Sequence, residues 1–193
     1  MSDAIRAVLD FWFDEDAKTR WFEPSAAFDR AVAKQLGQAH EQAAAGVLDG
    51  WQSSAEGCLA LCILLDQVPR QLFRGQARAF ATDDQARAVA LLALEEGFDR
   101  QLTVEQRTFL YMPFMHSERI EDQERCVALY QAPELRDKLT HAIEHADLVR
   151  RFGRFPHRNA ALSRTSSAEE EIHLAQSARH FGQAALPDDC EDT

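Results

Sequence analysis

Three short stretches of the 193-residue chain hold residues able to do chemistry, and each falls where helix-forming sequence is interrupted. In the first, Asp66-Gln67-Val68-Pro69-Arg70 with Arg74 and Arg78 beyond it, a carboxylate follows directly on Ile63, Leu64 and Leu65. This predicts that Asp66 ends an apolar helix, partly buried, where the helix dipole disfavours a negative charge and an arginine partner is required. Arg70 and Arg74 then either complete a structural ion pair or wall a pocket and hold an anion. In the second stretch, Tyr111-Met112-Pro113-Phe114-Met115-His116-Ser117-Glu118, Pro113 removes a backbone donor and is expected to kink or end a helix. His116 and Glu118 are thereby expected within reach of each other. Such an imidazole–carboxylate pair can serve as a general base, as part of a metal ligand set, or as a satisfied polar cluster.

The third stretch, Arg151-Phe152-Gly153-Arg154-Phe155-Pro156-His157-Arg158-Asn159, reads as an irregular loop after a helix C-terminus, because Gly153 and Pro156 forbid a continuing helix. Arg150 and Arg151 complement the helix dipole. Arg154, Arg158 and Asn159 lie past the terminator, where guanidinium forks suit carboxylate or phosphate. Those acids are either a ligand's or the protein's own, Asp66 and Glu118 among them. His141 and His145 stand at i, i+4, the spacing of two ligands on one helical face. A third ligand has no local source and the Glu-x-x-His pattern of di-iron bundles is not duplicated, so no metal site is assigned and no cofactor is expected. His40, His173 and His180 have no local partner pattern and are expected on the surface. No Gly-rich phosphate loop, nucleophile elbow or Cys-x-x-Cys pair occurs.

The charge distribution isolates the same stretches. The chain carries a net −11, yet residues 70–80 hold three arginines and no acid, and residues 146–164 hold five arginines against Asp147. A balance this negative argues against sequence-independent nucleic-acid binding and against an anionic membrane surface. The longest apolar run, Cys58 to Leu65, is far short of the roughly 20 residues that span a bilayer. The N-terminus is amphipathic at once, broken by Asp3, Arg6 and Asp10, and does not read as a signal peptide. Four cysteines are no disulfide framework in a chain this long, and Cys58 and Cys62 share an apolar face, so a reducing cytoplasm is expected.

The elements that must position these residues are helices. Alternating β-branched runs are missing, and Ala, Leu, Arg, Gln and Glu dominate. Ser2 and Ser25 are expected to cap helices, Ser53 with Glu56, Thr82 with Gln85, Thr103 with Gln106 and Ser167 with Glu170 to form capping boxes, and Gly46, Gly97 and Gly153 to end helices. A further helix is expected at about 119–130, and another from Pro133 to Phe152. That makes roughly eight helices in antiparallel hairpins, an all-α layered fold. Residues 1–185 are expected as one domain and 186–193, with four acids, as a flexible tail. Trp12, Trp21 and Phe22 are candidates for a contact surface.

Taken in order, Phe11-Trp12-Phe13, Leu65 to Arg70, Arg78 to Asp83, Pro113 to Glu118, Asp122-Gln123-Glu124 and the loop Arg151 to Asn159 resemble the domain of unknown function family 924, chiefly bacterial, from about Ile5 to Leu174. The resemblance implies a tetratricopeptide-like α-α superhelix and carries no activity. It singles out Asp66, Arg70, His116, Glu118, His145, Arg151, Arg154, His157, Arg158 and Asn159. The chain departs from the family pattern in having Met115 where a polar residue is expected, and in a short connection around Pro133.

Two functions follow. One is a binding scaffold whose groove or pocket, lined by the Arg, His and Glu motifs, recognises an acidic peptide or partner. The other is an enzyme or binder acting on a small carboxylate or phosphate compound, with His116 and His157 as acid and base, Glu118 or Asp66 orienting them, and Arg70, Arg74, Arg151, Arg154, Arg158 and Asn159 on the ligand. An unfilled pocket lined by His116, His157 and Arg154 counts against the scaffold.

Overall fold

A run of buried residues from Gly57 to Gln71 organises the chain. It is hydrophobic nearly all round, the signature of a helix enclosed by others. A computed structural model describes residues 2–23 and 25–176; the acidic tail 186–193, the end of the expected 1–185 domain, His180 and Cys190 lie outside the described residues. Helix is the only regular structure among those residues: α1 (Asp3–Trp12), α2 (Glu15–Lys18), α3 (Ala26–Ala44), α4 (Ala55–Cys62), α5 (Val68–Leu72), α6 (Asp83–Glu95), α7 (Val104–Met115), α8 (Ile120–Tyr130), α9 (Leu139–Phe152) and α10 (Ala168–Gln176). The fold is all-α, as the composition implies. No helix among the described residues is long and apolar enough to cross a membrane.

α4 and α5 form one rod, joined without a break by a π turn at Ile63–Gln67. α1, α6 and α7 pack on α4, and α3 packs on α5. α6, α7 and α8 each pack on the next in sequence. Trp12 is fully buried and meets Phe109 edge-on at 5.8 Å, while Trp21 donates its indole N–H to the Trp12 carbonyl. Trp12 therefore belongs to the core, and only Phe22 of the three aromatic candidates is well exposed. Cys58, Cys62 and Cys126 are buried and unbridged.

Local grammar holds with informative exceptions. Ser2, Ser25 and Thr103 cap as expected, and Thr103 with Gln106 completes its capping box. Ser167 and Glu170 bond reciprocally at the start of α10. Gly46, Gly97 and Gly153 all take the left-handed conformation that ends a helix at low steric cost. Ser54 rather than Ser53 caps α4. Thr82 occupies the cap position of α6 but gives its hydroxyl to the Leu65 carbonyl of the central rod instead. Pro133 opens a 3-10 turn, Pro133–Lys138, and α9 begins only at Leu139.

Two glycines separate propensity from packing. A Cβ at Gly37 in α3 meets nothing within 4 Å, whereas a Cβ at Gly57 runs into the Trp51 carbonyl. Gly37→Ala should gain about 0.5–1 kcal/mol from helix propensity alone. Gly57→Ala should lose roughly 1–3 kcal/mol through overpacking despite the same gain. Urea unfolding of both variants checks the opposite signs.

Candidate functional site

The site begins with a proline. Pro69 has no N–H for the Leu65 carbonyl four residues back, so a regular α-helix is not available there. The chain widens into the π turn, in which the Val68 N–H bonds Ile63 rather than Leu64. Two carbonyls are left over, and side chains take both. The Thr82 hydroxyl donates to Leu65, and His40 Nδ1–H donates to Leu64 at 2.8 Å. His40 is thus a buried residue with a structural bond, contrary to the expected surface position; its partner lies 24 residues away, beyond the reach of local pattern. Asp66 sits inside this turn, in the middle of a continuing rod rather than at the end of a helix, and is only 1% exposed.

A second proline sets the facing residue. Pro113 lies inside α7, which persists two residues further and stops at Met115, with His116 as its C-cap. Buried Gln123 of α8 closes that end, donating its amide to the carbonyls of Phe114, Met115 and Ser117. His116 is thereby turned to Asp66, its Nδ1 lying 2.9 Å from each carboxylate oxygen. Glu118, two residues on, faces away and accepts from the Phe155 N–H and from Arg164. The expected His116–Glu118 pair does not form; Asp66 is the carboxylate on His116.

The pair closes into a ring. Arg70 Nη1 lies 3.1 Å from Asp66 and 2.9 Å from Asp83, and Arg70 Nη2 is 3.0 Å from the other Asp83 oxygen. Arg158 Nη1 takes Asp83 at 3.1 Å and its Nη2 returns to the His116 carbonyl at 2.9 Å. The Arg158 guanidinium is flanked by the Phe80 and Phe155 rings, each 4.6 Å away. Two carboxylates and two guanidiniums balance, so the ring is neutral when His116 is neutral. Burial raises the Asp66 carboxyl, but Arg70 and His116 outweigh it and hold it at about 2. Burial lowers the His116 imidazole; Asp66 pulls the other way, and Arg70 and Arg158 add to the lowering. An ionised Asp66 can only accept, so the His116 proton resides on Nδ1 and Nε2 carries the lone pair. No described residue bonds that Nε2.

The His116 ring lines a cavity of about 340 Å³. Gln67, Arg70, Gln71 and Arg74 form one wall, and Met112, Met115 and Tyr130 another. His141 and His145 come from α9, preceded by Lys138, and Trp21 and Phe22 complete the lining. No described residue on the lining is a carboxylate, in a chain with 32 acids. His145 donates Nδ1–H to the His141 carbonyl at 2.7 Å, and its ring centroid is 6.3 Å from that of His116.

A family model described as bacterial protein of unknown function (DUF924) matches residues 8–178. The chain belongs to that family. The solved structure of a protein of unknown function from Agrobacterium tumefaciens is 43% identical, with a TM-score of 0.85, over 90% of this chain and 97% of that one. Among curated proteins none matches. Neither description names an activity, so the reading of this DUF924 member rests on its geometry.

That geometry divides the residues singled out from sequence. Asp66, Arg70, Arg74 and His116 gather at or directly behind the cavity, with Arg158 completing the ring. Arg151, Arg154 and Asn159 instead fasten the segment that leads into α10: Arg151 to Glu169, Arg154 to Glu170 and the Thr165 carbonyl, Asn159 to Ser166. His157 packs on Phe155 with centroids 5.5 Å apart and is not on the cavity lining, whereas His145 is. Sequence reasoning passed over Asp83, Gln67, Gln71, Tyr130 and Lys138. The i, i+3, i+7 spacing of Lys138, His141 and His145 was a usable signal; nothing local points from Asp83 to Asp66.

Burial, His116 and Arg158 lower His145 to about 3, and burial, Arg158 and His145 bring His157 to about 3. Histidines of the unfolded chain, near 6.5, take up protons first, so this stability is complete above about 6.5 and is lost as pH falls toward 3. Asp66, depressed from 3.8 to about 2, acts in the same direction at lower pH. The melting temperature should be flat above neutrality and fall by roughly several degrees on going down to pH 4.5. His145→Gln should flatten that fall, and an unchanged slope in calorimetry would refute the assignment.

Proposed function

We propose that the cavity binds a small organic anion and that His116, oriented by Asp66, acts on it as a general base. The carrying observation is the buried Asp66 carboxylate holding His116 Nδ1 while the ring lines an open cavity. Asp66 sets the tautomer and stabilises the imidazolium that forms when Nε2 takes a proton. Burial keeps the ring neutral and ready to accept at physiological pH. The lining favours a negative ligand, since it presents Arg70, Arg74 and Lys138 and no described acid. A volume of about 340 Å³ lies at the small end of ligand sites, which run from about 300 to 1,000 Å³. His145, beside His116, takes the place that the sequence reading gave to His157.

An acidic-peptide scaffold has less support. Arginines of both positive windows meet the chain's own acids: Arg74 meets Asp29, Arg78 meets Glu41, Arg154 meets Glu170 and Arg164 meets Glu118. A tetratricopeptide-like superhelix remains part of this reading as the frame that carries the cavity. So does a cytoplasmic setting, supported by the three described thiols, which are buried and unbridged, with Cys58 raised by burial to about 11.

Thermal shift against a panel of small carboxylates and phosphates identifies ligands by mass action. Proton NMR in deuterated buffer then follows exchange or hydrolysis of each ligand. His116→Gln should keep the fold and bind within about tenfold of wild type, while turnover drops by roughly 10²–10⁴-fold. Turnover equal to wild type, or no anion that raises the melting temperature, would sink the proposal.

A further inference from the structure

The cavity has two chemically different ends. Lys138, His141 and His145 line it at i, i+3 and i+7. At about 1.5 Å of rise per residue, Lys138 and His145 are roughly 10 Å apart along the axis of α9. Exposure separates the two ends: the Lys138 and His141 side chains are 35% and 54% exposed, while His145 is buried beside His116. Across the cavity Gln67, Gln71 and Arg74 repeat the spacing at i, i+4 and i+7. The lining thus runs from a solvent-facing mouth to a histidine end, with Met112, Met115 and Tyr130 among its apolar surface.

Cations at this site differ in what already holds them. Arg74 is bidentate on Asp29, at 2.7 and 3.0 Å, and Arg70 is bidentate on Asp83. Among the described residues Lys138 has only its sequence neighbour Asp137, at 3.5 Å, as an ion-pair partner, and that carboxylate is itself largely exposed. Its ammonium lies 5.8 Å from the centroid of Phe22, which is 59% exposed at the same mouth and backed by Trp21 at 6.2 Å. A solvent-facing ring beside a loosely held ammonium fits an anion with an apolar body. One point charge without a fork suits a single negative charge. A dianionic phosphate would call for guanidinium forks, and these are engaged with Asp29, Asp66 and Asp83.

We infer that the ligand is an elongated carboxylate with an apolar body, its carboxylate on Lys138 at the mouth and its far end against His116, and that Lys138 and Phe22 select for it. This rests on the cavity reading above and names the class of compound that enters. The methionine thioethers adapt to the body of the ligand, and the Phe22 and Trp21 rings cover it. His116 meets the end remote from the carboxylate, so the proton it removes is not the acid's own.

Calorimetric titration with octanoate, 4-phenylbutyrate, octanamide, acetate and inorganic phosphate tests the inference. Octanoate or 4-phenylbutyrate should bind wild type at least about tenfold more tightly than octanamide, acetate or phosphate. Lys138→Gln should abolish the preference for acid over amide, Lys138→Arg should retain it, and Phe22→Ala should weaken acid and amide alike. Lys138 is a half-exposed residue at the start of α9, and circular dichroism of its variants verifies that they are folded. An acid–amide preference unchanged in Lys138→Gln, or phosphate or acetate binding more tightly than the long acids, overturns the inference. If short anions bind and turn over through His116, the inference fails while the general-base proposal stands. If long acids bind through Lys138 but His116→Gln leaves turnover intact, the reverse holds. No binding by any of the five compounds contradicts the inference directly.

Discussion

A carboxylate buried in the central rod must be answered by charge and hydrogen bonds around it, and the site is the answer. Asp66 is 1% exposed and flanked by Leu64, Leu65 and Val68, all buried. Left alone it would protonate or unfold the helix. Arg70 one turn on supplies charge, His116 from α7 supplies a hydrogen bond, and Asp83 from α6 steadies Arg70. Arg158, from the loop after α9, then ties Asp83 back to the His116 carbonyl. Four separate segments are thereby joined in one network around the Asp66 carboxylate. Removing one partner of such a buried network costs about 3–5 kcal/mol, because the remaining charge stays buried.

Two prolines make the arrangement possible. Each breaks a helical ladder at the level where a reactive side chain has to emerge. At Pro69 the broken ladder becomes a π turn whose spare carbonyls are taken by His40 and Thr82. At Pro113 the helix ends shortly after, and Gln123 takes the carbonyls that would otherwise be unpaired. The cavity is lined from α5, α7 and α9, close to both defects. Structure here is irregular where the chemistry is placed and regular elsewhere, which is where strain and exposed polar groups concentrate in proteins with a site.

Much of this was legible in the residues themselves. The all-α class, most caps and every glycine terminator followed from local composition, and the apolar run before Asp66 correctly required an arginine. Long-range partners were not legible, because pattern carries no information across dozens of residues. Glu118 looked like the partner of His116 through mere proximity, yet a helix end between them sends the two side chains apart. His40 looked like a surface residue because its acceptor is a carbonyl released by a proline in another helix. The arginine loop raised the question of ligand or self, and for Arg151 and Arg154 the acids are in α10. Lys138 shares a helical spacing with His141 and His145, but its place beside Phe22 arises only from the folded chain.

The central claim is that His116 waits as a neutral imidazole with its proton on Nδ1 and its lone pair toward the cavity. Nitrogen-15 NMR of selectively labelled histidine reads this state directly. At pH 7 the imidazole signals lost in His116→Gln should belong to a ring with a protonated Nδ1 and a bare Nε2, and that Nε2 should shift when an anion fills the cavity. A proton on Nε2, or a doubly protonated ring at pH 7, would contradict it.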